Sequence, residues 1–240
     1  MEPLSEVGRL TGVIHAPAET FPDVAERGRW WIPTLLMVVM GVIFITLFVQ
    51  HVGYERMIQK AMESSPQLQD MPADKKAEAV AMQRKIMPYM LHASPIAGTV
   101  VMVVVIAGVL LFLMNGLMDA GIKYKNSLNV VAYAMLPAGL VAGVLMCVVM
   151  FLKAPDEFDI ERPLAFNAGA FLNPDSTSKW LESLATSFDL FTFWTIALMA
   201  IGFSAAAGPR RLPFSKSLTG ILIAWGLWVV IKVGIAAMRG

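Results

Sequence analysis

Charged residues are scarce in this chain, and cysteine is almost missing. Only 15% of the 240 residues are Asp, Glu, Lys or Arg, against about 25% in an average soluble domain. The net charge is +1, and no basic run is interleaved with aromatic side chains, so the composition disfavours nucleic acid as a partner. The single cysteine, Cys147, lies within an apolar run, where it cannot form an internal disulfide and reads as a small packing residue.

The chain also lacks the short motifs that identify common enzyme classes. It contains no G-x-S-x-G, no phosphate-binding P-loop and no H-E-x-x-H. The three histidines, His15, His51 and His92, lie in different segments without paired metal-ligand spacing. We weigh a zinc site between His51 and His92 against polar side chains at the membrane boundary, and favour the boundary. We therefore predict no catalytic residue, no metal and no cofactor.

Long apolar runs are what the chain has instead, since 57% of its residues are hydrophobic. A helix needs roughly 20 mostly apolar residues to cross the hydrocarbon core. Four uncharged runs reach that length, and a fifth does so if Lys232 extends its ammonium to the lipid headgroups. We predict an all-α fold, a polytopic membrane helical bundle with five transmembrane helices and short amphipathic interfacial helices. The predicted spans are residues 32–52, 95–117, 128–152, 188–207 and 218–238.

The segments outside the spans are predicted to be short, with 1–240 forming a single membrane domain. Residues 1–29 contain no apolar core of a signal peptide, so we expect the first span to direct insertion. They read as an interfacial segment, a helix ended by Pro17 and then a short turn starting at Phe21. Residues 53–93 and 153–187 are predicted to be extracytoplasmic loops with helical pieces, one of them Ala73 to Met87. The apolar stripe of the first helix consists of Leu4, Val7, Leu10, Thr11 and Ile14.

Basic residues in the short links favour one orientation. With the N-terminus inside, the two short cytoplasmic links carry five of them. Counting all 19 basic residues instead places eight inside and eleven outside. On the short links we predict a cytoplasmic N-terminus and an extracytoplasmic C-terminus. The five basic residues of the links are Lys123, Lys125, Arg210, Arg211 and Lys216.

Three polar residues near span ends are candidate binding residues. Asn115 and Asp119 are four apart at the end of the second span, which predicts one shared helix face. For Asp119 we favour a place at the water boundary with Lys123 as partner, over a bundle-facing hydrogen bond or an ion relay. Asp189 opens the fourth span, where a carboxylate suits a helix N-terminus, and we favour capping.

Small residues and one proline predict how the spans pack. Gly139 and Gly143 in the third span, and Gly202 and Ala206 in the fourth, have the four-residue spacing that permits close helix approach. Pro137 lies inside the third span and is predicted to kink it, because proline removes one helix hydrogen bond.

Several passages in order resemble the bacterial branch of the Yip1-domain family. They are Arg9-Leu-Thr-Gly-Val-Ile-His-Ala-Pro-Ala-Glu-Thr-Phe21, the Trp-Trp-x-Pro entry at Trp30 to Pro33, Tyr124-Lys-Asn-Ser-Leu-Asn-Val-Val-Ala-Tyr-Ala-Met-Leu-Pro137, and Phe188-Asp-Leu-Phe-Thr-Phe-Trp194. The resemblance covers about residues 8–238. It implies five spans with a cytoplasmic N-terminus in the bacterial inner membrane, and it implies no catalytic residues. Eukaryotic relatives act in vesicle trafficking with small GTPases, a role that the resemblance alone does not transfer.

Three functions follow as hypotheses. The first is a non-enzymatic membrane scaffold or lipid- or protein-organising component. Its partners would be membrane lipids, other membrane proteins or further copies of the chain. The second is a transporter or channel for a small solute or lipid, which would need charged groups along a pathway. The third is a membrane enzyme acting on lipid, which would need Asn115, Asp119 and Asp189 to converge on one cavity.

Overall fold

The computed structural model describes residues 2–64, 71–155, 157–160, 163–173 and 176–238. Within these ranges the chain forms nine α-helices, one short 3-10 helix and no strand beyond a single isolated bridge between Asn167 and Asp189. The all-α prediction is confirmed. The helices are α1 (Glu6–His15), α2 (Pro17–Arg27), α3 (Trp31–His51), α4 (Tyr54–Ser64), α5 (Ala73–Met118), α6 (Tyr124–Leu152), α7 (Lys179–Ala185), α8 (Leu190–Ala207) and α9 (Phe214–Met238), with the 3-10 helix at Ala168–Phe171.

Five of these helices are long and apolar enough to cross a membrane, as the sequence predicts. They are α3, α5, α6, α8 and α9, with 21, 46, 29, 18 and 25 residues. At about 1.5 Å per residue even the shortest is about 27 Å long, close to the roughly 30 Å of a hydrocarbon core. The remaining α-helices are shorter and, within the described residues, lie before α3, between α3 and α5, and before α8.

The N-terminal segment forms two helices with a sharp join. Ser5 caps α1, because its side chain accepts a hydrogen bond from the amide of Gly8 at 3.1 Å. The helix stops at His15 and α2 starts with Pro17, which suits a first helical position because its missing amide would be unpaired there. The predicted turn starting at Phe21 is wrong. The helix runs through Pro22 to Arg27, since a proline within the second turn removes one hydrogen bond without ending a helix packed on its neighbours.

The second span differs most from its prediction. The sequence predicts a separate helix ending at Met87 and a span starting at Pro95, but α5 is continuous from Ala73 to Met118. Both Pro88 and Pro95 lie inside it. Proline is tolerated within membrane helices where neighbouring groups compensate for the lost hydrogen bond. The ring of Pro95 fits against α3 where Gly41 has no side chain, since a Cβ at Gly41 would lie 2.7 Å from the Pro95 Cβ.

The chain divides into two compact units. The first comprises Met1–Met37, Val100–Ala142 and Leu164–Gly240, so it holds α1, α2, α7, α8, α9, the 3-10 helix and parts of α3, α5 and α6. Its core is apolar and includes side chains from both short N-terminal helices. The largest fully buried core members are Tyr133, Phe21, Phe203, Met114 and Leu212. Because α1 and α2 contribute to this core, they are packed parts of the first unit.

The second unit comprises Val38–Thr99 and Gly143–Pro163. Its smaller core is aromatic, with Phe48 lying between Phe44 and Phe158 at ring-centroid distances of 6.2 and 6.1 Å. The side chain of Cys147 is half-buried at the edge of this core, with a free thiol. That 1–240 behaves as a single membrane domain stays a prediction.

Candidate functional site

A buried ion pair joins the two N-terminal helices. The Nε of Arg9 on α1 donates to the Oδ2 of Asp23 on α2 at 2.6 Å, and both residues are only 7% exposed. Arg27, one turn further along α2, donates to Oδ1 of the same carboxylate at 2.8 Å. A buried charge is tolerated only when paired and hydrogen-bonded, and Asp23 has both. We call α1 and α2 with this network the N-terminal cap.

The electrostatics of the pair favour its ionised form. Burial opposes the charge of Asp23, but hydrogen bonds from Arg27 and Arg9 outweigh burial and hold the pKa of this carboxyl below its ordinary value. Burial likewise opposes the charge of Arg9, yet the hydrogen bond to Asp23 and the nearby carboxylates of Asp23 and Glu6 raise the pKa of its guanidinium. The cap is therefore held by permanent charges at neutral pH.

Glu6 connects the cap to the first unit's bundle. Its Oε1 accepts from Arg9 at 2.7 Å, while its Oε2 accepts from the hydroxyl of Tyr133 on α6 at 2.7 Å. The guanidinium of Arg29 also approaches it, with Nε 3.6 Å from Oε1. Tyr133 is fully buried, so this hydrogen bond links the cap to the interior of α6, 127 residues further along the chain.

Asn129 fixes the passage from the cap into α3. Its Oδ1 accepts from the amide of Trp30 at 3.1 Å, and its Nδ2 donates to the carbonyl of Ala25 at 3.2 Å. Asn129 is fully buried and thereby satisfies two backbone groups near a helix junction. Gly28 lies against it, since a Cβ at this position would meet Asn129 and Tyr133 at 3.3 Å and the carbonyl of Val24 more closely still.

The aromatic ring of Phe21 in the cap packs against α8 at Gly202, which has no side chain. A Cβ at Gly202 would lie 2.8 Å from Cδ1 of Phe21 and 2.5 Å from Cγ1 of Val130. Both Phe21 and Val130 are fully buried. The Gly202 position that the sequence singles out for close helix approach thus adjoins α2 and α6 together.

The two short links of the first unit are joined by Arg211. Its Nε donates to the carbonyl of Asp119 at 2.6 Å and its Nη2 to the Asp119 carboxylate at 3.1 Å. The guanidinium lies directly on Gly121, whose φ of +66° also favours glycine. We call residues 119–123 and 208–213 the joined links. The sequence predicts Lys123 as the partner of Asp119, and the structure shows Arg211 instead.

Asn115 closes the first of these links. Its Nδ2 donates to the carbonyl of Ile122, and its Oδ1 accepts from the amide of Ile122, both at 2.9 Å. The predicted shared helix face with Asp119 is wrong, because α5 ends at Met118 and Asp119 has a φ of +51°. Asp119 is 96% exposed, which agrees with a place at the water boundary.

Asp189 lies at the other end of α8. It is the N-cap, as the sequence predicts, and its Oδ1 accepts from the amide of Thr192 at 2.9 Å. Nearby, the ammonium of Lys232 on α9 donates to the hydroxyls of Thr186 and Ser187 at 3.3 Å each. The length of α8, about 27 Å, separates Asp189 from the joined links. Asp119 therefore lies in the first link and Asn115 bonds to it from α5, whereas Asp189 does not join them.

Comparison with known proteins adds one match and no near relative. The model of the Yip1 domain matches residues 11–238. This chain belongs to the Yip1 domain family. Comparisons with curated proteins and with solved structures found no match. Family membership together with five helices able to span a membrane makes this a membrane protein, as the resemblance implied.

The matched region of this Yip1 domain protein includes both joined links and the cap from residue 11 onward, so Glu6 and Arg9 lie just before it. It also includes the remaining predicted packing residues. On α6, a Cβ at Gly139 would make ordinary contact with Met37, and one at Gly143 would lie 2.5 Å from Cγ of Met40. Ala206 packs against the first unit's core. The helix α6 runs continuously through Pro137, and a kink there stays a prediction.

The histidines that the sequence considers for zinc have other contacts. The ring of His51 lies against Phe151 at a centroid distance of 5.0 Å, and Nδ1 of His92 is 2.8 Å from the carbonyl of Pro88. Across the described residues, no three His, Cys, Asp or Glu side chains group as metal ligands do.

Sequence reasoning missed the charged residues of the cap in this Yip1 domain protein. Most of the predicted apolar stripe faces outward, because Leu4, Val7, Thr11 and Ile14 are exposed. Leu10 instead packs against the core, beside the buried Arg9 and Val13. One signal was present, because Asp23 and Arg27 have the four-residue spacing of a helical ion pair. Nothing in the local pattern pointed to Arg9 as their partner.

Proposed function

We propose that this protein is a non-enzymatic membrane component that organises lipid or protein partners through its N-terminal cap. The observation that carries the proposal is that α1 is fixed on one side and apolar on the other. Its inner side holds Arg9 in the ion pair with Asp23. Its outer side exposes Val7 at 69% and also Ile14, and Leu4, just before the helix, is exposed as well.

An exposed apolar row on a helix outside the spans supports an interaction surface. Such a helix lies at the lipid boundary or against a partner, because leaving the row in water is unfavourable. The charge network holds the helix in place, so its outer row has a fixed orientation. A fixed apolar row suits a component that holds partners in place.

The alternatives have less support. Asp189 lies apart from Asn115 and Asp119, so the set of residues on which a lipid enzyme was hypothesised does not converge. Among the described residues, the buried polar side chains of α6 bond to nearby backbone carbonyls and to Glu6. No observation specifically favours a transporter.

The proposed orientation puts the cap on the cytoplasmic side of a bacterial inner membrane. Five basic residues of the short links support this choice, because basic residues in short loops favour the cytoplasm. The links lie at the same end of the first unit as the cap, since α8 starts at Asp189 and runs past Gly202, against the cap, into the second link.

The test compares partners that remain bound after gentle solubilisation. Full-length wild type and a Val7→Asp variant are purified in mild detergent, and retained lipids and proteins are quantified by mass spectrometry. We expect wild type to retain a defined set of lipids or proteins. The amount retained by Val7→Asp should be several-fold lower, because a carboxylate in the apolar row opposes apolar contact.

Ala18→Asp is the matched control, since it places the same charge on an exposed position of α2. It should retain the wild-type set. A wild type that purifies without a partner or lipid preference would contradict the proposal, and so would equal retention by Val7→Asp.

A further inference from the structure

We propose that the joined links bind the phosphate headgroup of an anionic phospholipid. This inference deepens the proposed function and rests on it, because it names one lipid class that the protein organises. The surface consists of the basic side chains of both links and the adjoining helix starts. We call it the basic patch: Lys123, Lys125, Arg210, Arg211 and Lys216, all of them exposed.

Arg211 brings these residues into one surface. Residues 123 and 210 are distant in sequence, and the two hydrogen bonds from Arg211 to Asp119 hold their links side by side. Gly121 permits the approach, because a side chain there would overlap the Arg211 guanidinium. The patch is therefore a built surface in which two links share a fixed arrangement.

The charge of the patch is largely uncompensated. Asp119 pairs with Arg211, whereas the part of the chain that the structure describes provides no carboxylate within 4.0 Å of the other four basic residues. At the cap, by contrast, Arg9 and Arg27 are paired with Asp23, and Arg29, just beyond the end of α2, is paired with Glu6. At this end of the first unit, the patch is thus a surface whose positive charge is largely unpaired, and such a surface suits an anion.

Exposed apolar side chains next to the patch point to a lipid as the source of that anion. Leu117 precedes the first link and is 65% exposed. Tyr124 is next to Lys125, Phe214 is two residues before Lys216, and these two aromatic residues are 42% and 46% exposed. All three belong to helices able to span a membrane. A headgroup on the patch would leave acyl chains beside these side chains, an arrangement that a soluble anion cannot use.

The experiment measures lipid preference of the full-length protein. Protein in mild detergent is titrated with phosphatidylglycerol or phosphatidylcholine carrying the same acyl chains, and bound lipids are counted by native mass spectrometry. The variant combines Lys123→Gln, Lys125→Gln and Lys216→Gln. We expect wild type to prefer phosphatidylglycerol over phosphatidylcholine. In the variant this preference should be about tenfold smaller.

The matched control removes three lysines elsewhere through Lys75→Gln, Lys85→Gln and Lys153→Gln. It should keep the wild-type preference, and thermal unfolding should be alike in all three proteins. Inorganic phosphate at millimolar concentration should leave the preference in place. Complete displacement by phosphate would identify a free-anion site and overturn the proposal.

An unchanged preference in the patch variant, an equal loss in the control, or no preference in wild type would each overturn it as well. These outcomes are distinct from failure of the proposed function. If Val7→Asp loses its partners while the patch variant keeps its lipid preference, only the basic patch is wrong. If the lipid preference depends on the patch but partner retention does not depend on Val7, the cap's role is wrong instead.

Discussion

At the scale of residues, Asp23 is the centre of the N-terminal cap. Its carboxylate accepts hydrogen bonds from Arg9 on α1 and from Arg27 on α2, and the site is largely buried from water. Breaking a buried pair by removing one partner costs about 3–5 kcal/mol, whereas replacing both partners by apolar groups is often neutral. The cost arises from the charge left behind.

We predict that Asp23→Asn lowers the free energy of unfolding by about 3 kcal/mol, because the guanidinium of Arg9 stays buried without its anion. Unfolding by denaturing detergent measures the change. Glu19→Gln is the control, since it removes an exposed carboxylate on α2, and it should stay within about 0.5 kcal/mol of wild type. The double variant Arg9→Met with Asp23→Leu should recover most of the loss. A double variant weaker than Asp23→Asn would argue against this explanation.

The lowered pKa of Asp23 predicts a pH dependence. Its pKa in the folded state lies below that in the unfolded chain, so between the two values the unfolded chain binds more protons. The stabilisation is complete above about pH 4 and is lost as the pH falls through the folded pKa. The difference in unfolding free energy between wild type and Asp23→Asn should shrink between pH 6 and pH 3. A constant difference over that range would show that the carboxylate does not titrate as described.

Local sequence patterns could not predict these partners. Arg9 and Asp23 are 14 residues apart, Asp119 and Arg211 are 92 apart, and each pairing depends on how helices pack. The capping role of Asp189, in contrast, needs only its own helix start, and the sequence predicts it. Contacts within one turn are encoded locally, while contacts between helices follow from the assembled bundle.

At the scale of elements, three helices meet where Gly202 has no side chain. Phe21 of α2 and Val130 of α6 occupy the space that a Cβ would need. Close approach of this kind strengthens dispersion contacts between membrane helices. The four-residue spacing of Gly202 and Ala206 indicates a packing face in the sequence, but the sequence could not reveal that a helix outside the spans uses it.

We predict that Gly202→Ala destabilises the protein by about 1–3 kcal/mol through overpacking. The measurement is the free energy of unfolding in denaturing detergent. Gly226→Ala in α9 is the control, because a Cβ at that position meets nothing within 4 Å. It should be neutral or stabilising by up to about 1 kcal/mol. Equal effects of the two substitutions would mean that the methyl group meets no obstruction at Gly202.

The helix α5 shows where element boundaries escape sequence reasoning. The sequence predicts its apolar portion but not its continuity through Pro88 and Pro95. A proline rule drawn from isolated helices favours a break. In the second unit the Pro95 ring packs against Gly41 of α3, and such packing offsets the backbone hydrogen bond that Pro95 cannot make.

At the scale of the whole molecule, hydrophobicity alone suffices to predict the number of spans. Each candidate span has a mean hydropathy between 1.8 and 2.9 over its most apolar window. Burial of such helices in lipid is strongly favourable, so their existence does not depend on any single contact. Orientation depends instead on a small difference between the numbers of basic residues on the two sides of the membrane, so the sequence defines it less strongly than the number of spans.

We predict that position 19 faces the cytoplasm and position 153 the opposite side. Glu19→Cys and Lys153→Cys are each made in a Cys147→Ala background, since both sites are exposed. A membrane-impermeant maleimide applied to intact spheroplasts should label only the Lys153→Cys variant, and opening the membrane should allow both to react. The reverse labelling would invert the proposed orientation.

The hydrogen bonds of Lys232 restrict how α9 can move along its own axis. Two hydroxyls, those of Thr186 and Ser187, meet the ammonium at one level of the first unit. A slide of one helical turn, about 5.4 Å, would carry the ammonium out of reach of both. Lys232 thus fixes the position of α9 along its own axis relative to the loop preceding α8.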